Sequence, residues 1–231
     1  MSAAPRLRTR FLHGVAALVV AIALCLGAWH GYRAVVELPV TRVVYAGEVD
    51  RLAQAELDAL SHAVIAADRP SLEAVSEAAR RMPWVRDAAV RRLYPDAVEI
   101  TLEVHEPLAR WNDDRLVSRR GEVFAATGAG TLPRFRGPEG SAARMTREFP
   151  LIAAALEPLG AIEELRLSPR GGWQARLAGG LAVELGRDDW PVRARRFLAA
   201  WQRLPEEARA TRYADLRYPN GFALRKTSTT P

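Results

Sequence analysis

Cysteine is all but missing from this 231-residue chain. Cys25 stands alone, which forbids an intramolecular disulfide and any Cys-based zinc site. Lysine is equally scarce, since Lys226 is the only one and every other basic residue is Arg. Of the four histidines, His13 and His30 fall in an apolar stretch, His62 on a helical segment and His105 on a strand, and no His-x-x-x-His or Glu-x-x-His spacing gathers metal ligands. Neither Gly-x-Ser-x-Gly nor Gly-x-x-x-x-Gly-Lys occurs, so a nucleophile elbow and a phosphate loop are both excluded. Glycine at 16 and proline at 15 are ordinary, which removes collagenous and low-complexity readings.

Acid is absent from the first 36 residues, and that explains most of the charge. The formal net charge is +6 with a pI near 10.2, a balance that suggests a nucleic-acid binder. Four of the 33 basic residues (Arg6, Arg8, Arg10, Arg33) lie in this acid-free start, leaving 29 against 27 acidic residues in the remainder. The body of the chain is therefore close to neutral, and no nucleic-acid partner is expected.

From Phe11 to Tyr32 there are 22 residues without a formal charge, about 33 Å of helix against a hydrocarbon thickness of about 30 Å. Val15, Leu18, Val19, Val20, Ile22, Leu24 and Leu26 each favour insertion, and Arg6, Arg8 and Arg10 hold the N-terminal tail in the cytoplasm by the positive-inside rule. Residues 1–10 are then a cytoplasmic tail, 11–32 a transmembrane helix, and everything after residue 33 is exported. A cleaved signal ending at Ala21-Ile22-Ala23 and a lipoprotein signal ending at Cys25 are the competing readings. The apolar run continues to Ala28, and Leu24 is too large to precede a lipidated cysteine, so an uncleaved anchor is expected.

After the exit at Glu37-Leu38-Pro39, Arg42 to Tyr45 reads as a short strand closed by Gly47. From Leu52 to Ala66, Leu57, Leu60 and Val64 recur at helical spacing until Asp68-Arg69-Pro70 breaks the helix. Ser71 caps a second helix with Leu72, Val75, Ala79 and Met82 on one face, ended by Pro83. Trp84 to Leu93 and Val98 to Glu106 are strands joined at Pro95-Asp96. In the second, Val98, Ile100, Leu102 and Val104 face inward while Glu99, Thr101, Glu103 and His105 face out. A three-stranded sheet covered by two helices on one face follows.

Further on, Trp173, Ala175, Leu177 and Leu181, Val183, Leu185 alternate around Ala178-Gly179-Gly180, a hairpin. Ser141 to Leu159 and Val192 to Leu204 are the only helical stretches expected there. In the latter, Ala194, Phe197, Leu198, Trp201 and Leu204 form one face, Arg195, Arg196 and Arg203 a solvated opposite face for which contact with an acidic partner is the competing reading, and Asp188 and Asp189 cap the start with Pro191 in the first turn. Tyr213 to Tyr218 and Phe222 to Arg225 form a terminal strand pair around Pro219-Asn220-Gly221. The pairs Asp113-Asp114 and Asp188-Asp189 sit at a turn and a helix start, where Asp is ordinary, and Gly128-Ala129-Gly130 and Gly171-Gly172 are loop glycines. No catalytic group, metal site or cofactor is expected, and binding is the function left.

The order strand-helix-helix-strand-strand, with Met82-Pro83-Trp84-Val85, Ala89-Val90-Arg91-Arg92-Leu93-Tyr94-Pro95, Glu106-Pro107 and Ala109-Arg110-Trp111-Asn112, resembles the POTRA module and following segment of the bacterial FtsQ/DivIB division family. Gly137-Pro138-Glu139-Gly140-Ser141-Ala142, the Trp173 to Gly186 hairpin, and Asp215-Leu216-Arg217-Tyr218 with Asn220-Gly221 extend the likeness over nearly the whole chain. The resemblance implies an α+β protein: a POTRA domain over residues 38–106, a second mixed domain over 107–226 dominated by antiparallel sheet with two helices, and a tail at 227–231. It implies a single-pass inner-membrane component of the divisome that holds FtsB and FtsL and links early and late division factors at the septum, with the POTRA module recruiting others. A POTRA-bearing transport component is the alternative, although no β-barrel or repeated module accompanies this one. An anchored cell-wall hydrolase lacks its nucleophile.

Nothing with strand character follows the last strand, so its outer edge is expected to be open, guarded only by Arg225 and Lys226, and an open edge is either guarded or used. Phe222 and Leu224 alternate as strand addition requires, with Ala223 between them. The resemblance places the FtsB contact here and carries over Arg217 and Tyr218 from the matching Leu-Arg-Tyr, and Arg170 before Trp173. The competing reading makes Tyr218 and Phe222 core residues of the hairpin.

Overall fold

The computed structural model describes residues 5–36, 39–67 and 70–225; the Glu37-Leu38 exit, the Asp68-Arg69 break, Lys226 and the 227–231 tail lie outside the described residues. A helix, α1 (Pro5–Val36), opens the chain. Within it 16–33 is long and apolar enough to cross a membrane, and Leu18, Val19, Val20, Ile22, Leu24 and Leu26 are all exposed. Water does not favour such a surface, whereas hydrocarbon does. The chain divides into two compact units, Met1–Val104 and His105–Pro231.

In the first unit, β1 (Arg42–Gly47), α2 (Gln54–Ala66), α3 (Leu72–Arg80), β2 (Val85–Leu93) and β3 (Ala97–Val104) form a sheet of order β1-β3-β2, with β1 parallel and β2 antiparallel to the central strand. The period-two pattern of β3 sends Val98, Ile100, Leu102 and Val104 into one core with Leu57, Leu60 and Val64 of α2 and Val75 and Ala79 of α3. Gly47 closes β1 at φ +86°, and a Cβ there would lie 2.3 Å from the Leu102 carbonyl oxygen, so only glycine fits. Ser71 caps α3, its Oγ accepting from the Ala74 amide at 3.5 Å. Leu72 departs from the expected buried face: in the first turn of α3 it is 36 % exposed, and Ser76 takes the inward place. The Ser76 hydroxyl donates to the Ala88 carbonyl at 2.6 Å. The third strand ends at Val104, two residues short of the expected Glu106.

The second unit runs β4 (Pro107–Trp111), β5 (Arg115–Ser118), β6 (Val123–Phe124), β7 (Arg134–Arg136), α4 (Ala142–Leu156), a 3-10 turn (Glu157–Leu159), β8 (Ile162–Leu167), β9 (Trp173–Leu177), β10 (Ala182–Gly186), α5 (Trp190–Trp201), α6 (Glu206–Arg209), β11 (Tyr213–Asp215) and β12 (Ala223–Arg225). Among the described residues its nine strands lie in the order β12-β11-β10-β9-β8-β7-β4-β5-β6. Five of the pairings are antiparallel; β10 with β11, β7 with β8, and β4 with β7 are parallel. The predicted hairpin is β9–β10, with all six alternating apolar residues buried. Trp111, Phe135, Trp173 and Phe197 are fully buried in a core that α4 and α5 share with the sheet. Gly137 allows α4 to start where it does, because a Cβ would come within 2.6 Å of Ser141 Oγ and 2.8 Å of Met145 Sδ.

Three expectations for this unit are corrected. The short helix α6 joins the two long ones, its first turn holding Glu206 and Glu207, where acid suits the helix dipole. Asp189 occupies the N-cap of α5 at φ 54° and makes no side-chain cap; its carbonyl receives the Val192 and Arg193 amides, while Asp188 pairs with Arg187 at 2.9 Å. Arg196 is not part of a solvated face: it is half-buried and bonded to the loop between β11 and β12.

Candidate functional site

The terminal strand pair lies at one edge of the nine-stranded sheet. Its backbone directions follow from two bonds to β10. The Ala182 amide donates to the Arg212 carbonyl at 3.0 Å, and the Leu216 amide to the Glu184 carbonyl at 2.9 Å. In a parallel ladder this turns Arg212, Ala214 and Leu216 toward β10 and leaves Tyr213 and Asp215 facing β12. Their register partners are Arg225 and Ala223, so the amides of those two residues point inward. The backbone N–H and C=O of Leu224 therefore point out of the sheet. Among the described residues nothing takes them.

The side chains divide the other way. Phe222 meets Phe197 edge-on with ring centroids 4.9 Å apart, and Phe222 and Leu224 both sit against the protein's own core. Ala223 and Arg225 are exposed on the opposite face, where the Arg225 guanidinium lies 5.0 Å over the Tyr213 ring. Tyr218 is 52 % exposed, so of the two residues that the core reading assigned to the hairpin interior, only Phe222 is there. Residues 218–223 together line a shallow depression of about 340 Å³ beside the edge.

Two arginines shape the loop that ends at β12. Arg217 grips Asp215 with both arms, Nε to Oδ1 at 2.9 Å and Nη2 to Oδ2 at 2.7 Å, while its own amide also donates to Oδ1 at 3.0 Å. Asp215 is held below the ordinary carboxylate range by this Arg217 hydrogen bond, against an opposing effect of burial. The guanidinium of Arg217 is raised in return. Burial, followed by the charges of Asp215 and Glu184, pushes the Tyr213 phenol up. Arg196 reaches across from α5 and donates to the carbonyls of Pro219, of Tyr218 at 2.9 Å and of Gly221 at 3.4 Å. At the other end of β12, the Thr211 hydroxyl donates to the Arg225 carbonyl at 2.7 Å.

Six of the seven residues named from sequence are thus contiguous along this edge: Arg217, Tyr218, Phe222, Ala223, Leu224 and Arg225. Arg170 is exposed on the β8–β9 turn. The register pairs Leu167 with Trp173 and Trp173 with Gly186 and so bring that turn to the end of the sheet where Arg217 lies, without a direct bond between them. Thr211 carries no signal in the sequence, and Arg196 is expected from its spacing on a solvated face rather than on this loop. The signal for Arg196 was its place next to Phe197, since a helix that seats Phe222 must pass beside the loop preceding it. The arrangement offers main-chain donors and acceptors framed by one aromatic and two basic side chains, which suits an added strand. No group of three or more His, Cys, Asp or Glu side chains converges among the described residues.

Two family models match: "POTRA domain, FtsQ-type" over residues 69–104, and "Cell division protein FtsQ/DivIB, C-terminal" over 109–217. The second stops at Arg217, so β12 lies beyond the matched residues. Proteins named Cell division protein FtsQ are similar along much of the chain. That of Burkholderia pseudomallei is 44 % identical over 163 residues, 67 % of this chain and 65 % of that protein. The Neisseria meningitidis serogroup B protein is 38 % identical over 163 residues, 69 % of each. That of Xanthomonas campestris pv. campestris is 31 % identical over 222 residues, 94 % of this chain and 79 % of its own.

Proposed function

The chain belongs to the FtsQ/DivIB family of cell division proteins, and from that premise we propose that it is a single-pass inner-membrane scaffold of the divisome. In this reading α1 crosses the membrane with the arginine-rich start in the cytoplasm, and residues 38–106 and 107–226 act in the periplasm at the septum as a recruiting POTRA module and a partner-binding domain. The role is binding rather than catalysis. FtsB- and FtsL-type division proteins are its partners, and it links early and late division factors.

The observation that carries this reading is the outward backbone of Leu224. A partner strand docking there would form main-chain hydrogen bonds with β12 while Arg217, Tyr218 and Arg225, and Arg170 at the same end of the sheet, meet its side chains. Phe222 and Leu224 support the edge from beneath rather than reaching for the partner.

Proline distinguishes the amides. Leu224→Pro removes an outward donor and trims a side chain packed on the core, a loss that Leu224→Ala reproduces with the donor kept, whereas Ala223→Pro removes an inward donor and cuts the β11–β12 ladder. In titrations of the full chain with the periplasmic part of an FtsB-type partner, Leu224→Pro is expected to fold normally and bind roughly tenfold or more weakly, as loss of a buried interface hydrogen bond implies. Undiminished binding by both Leu224→Pro and Tyr218→Ala refutes the edge as the site.

A further inference from the structure

The face of the C-terminal sheet turned away from α4 and α5 carries a second feature. Register places Arg110 of β4 beside Arg134 of β7, Arg134 beside Glu164 of β8, and Glu164 beside Arg176 of β9. All three arginines are exposed. The carboxylate in the row is already engaged: Glu164 is 15 % exposed and bound by Arg166 at 2.9 Å and Arg136 at 3.4 Å. Arg136 also reaches Asp113 at 3.1 Å. Arg110 donates to the Gly130 carbonyl at 3.2 Å. The side chains of Arg134 and Arg176 have no hydrogen bond or ion pair among the described residues.

Between them lies a depression of about 520 Å³ lined by Leu132, Pro133, Arg134, Glu163, Glu164 and Arg176, among others. It forms where the parallel strands β7 and β8 begin and β8 bulges between Ile162 and Glu164. Arg134 and Arg176 therefore sit two strand spacings apart on the backbone, about 10 Å, and line a concave surface with Glu163 and the already paired Glu164. Guanidinium is the side chain best shaped to clasp a carboxylate with two parallel bonds.

We propose that this concavity is a docking site for an acidic polypeptide segment, one that presents two carboxylates about 10 Å apart, as residues three apart on an extended polyproline-II-like chain do. Shape and charge both favour a polypeptide over an anionic bilayer. The surface is recessed rather than flat, and the exposed carboxylate of Glu163 at its rim would oppose a uniformly negative plane, whereas a peptide can set a backbone amide or a basic side chain there. The site is separate from the β12 edge, three strands away across β10 and β11. Sheet twist of roughly 20–25° per strand turns the two surfaces in different directions.

The test uses the full chain in detergent and a fluorescein-labelled hexaglutamate probe, read by anisotropy at low ionic strength. Arg134→Glu with Arg176→Glu is expected to weaken binding roughly tenfold. Arg195→Glu on α5 with Arg203→Glu in the turn that follows it changes net charge equally and is expected to alter it less than about twofold, because only long-range screening is involved. Equal losses in the two double variants, or no binding by the parent chain, overturn the proposal. Arg134→Gln with Arg176→Gln gives the same reading if charge reversal disturbs folding. Sedimentation with phosphatidylglycerol vesicles that depends on Arg134 and Arg176 while hexaglutamate binding does not overturns it in favour of a lipid surface.

Discussion

The outer edges of β2 and β12 show opposite treatments of the same problem. In the first unit the Thr41 amide donates to the Asp96 carbonyl, and the Glu48 amide to that of Leu102, which turns the even-numbered backbone of β3 toward β1. Across β2 the register partner of Leu102 is Ala88, so the Ala88 carbonyl points outward. It is not left there: Ser76 takes it at 2.6 Å and Arg80 at 3.4 Å, both from α3. At β12 the corresponding groups of Leu224 meet nothing among the described residues. A protein that covers one edge with its own helix and, among the described residues, leaves a shorter one uncovered distinguishes an edge for stability from an edge for contact.

That contrast can be broken most forcefully in the core behind the covered edge. Ile100 is fully buried at the centre of β3, and Ile100→Ala is expected to cost about 2–5 kcal/mol through lost burial and the cavity left behind. Thr101→Ala, one residue along and exposed, is expected to stay within about 0.5 kcal/mol. Urea melts of the two variants decide it, and comparable losses would mean that the faces of β3 are exchanged.

Asp215→Asn comes next, at about 1–3 kcal/mol, because the change replaces a charge-assisted pair with Arg217. The native carboxylate has a folded pKa below its unfolded value near 4. Its stabilisation is therefore complete above the unfolded value and lost as pH falls through the folded one. Stability measured from pH 6 down to pH 2 should fall less steeply for Asp215→Asn than for the parent below about pH 4. Parallel curves would show that the pair does not form in solution.

Ser76→Ala should cost about 1 kcal/mol by uncovering the Ala88 carbonyl, with Arg80 left as its partner. The smallest effect on stability is expected at the outer edge of β12: relative to Leu224→Ala, which removes the same core packing, Leu224→Pro should change the melting midpoint little while partner binding weakens roughly tenfold. If instead Leu224→Pro unfolds the domain as Ile100→Ala does, the division between a stabilising edge and a contact edge is wrong.

Much of this was readable from residues alone because it is local. The apolar run 11–32, the alternation of β3 and the β9–β10 hairpin each announce themselves within a dozen residues. The strands β4 to β8 do not. The β7 strand is three residues long and takes both its neighbours in parallel from distant parts of the chain, so no short-range periodicity marks it. Asp189 looks like a helix cap by type, but its left-handed backbone goes with no side-chain bond to the first amides. Arg196 has the right spacing for a solvent face, and only the return of the chain 22 residues later to Tyr218 gives it a role. At the candidate site the order of residues was legible. The direction of the Leu224 amide was not, since it depends on how β11 pairs with β10.

The two clasps on β12, Thr211 at one end and Arg196 at the other, bear on recognition as well as on the fold. A three-residue strand held only by its ladder would fray, and a partner would then have to order both chains at once. With its ends already fastened, β12 is a finished template, and the entropy lost on complex formation falls mainly on the incoming strand. Loosening either clasp should then raise the dissociation constant even though neither residue needs to touch the partner, which makes affinity adjustable from inside the domain.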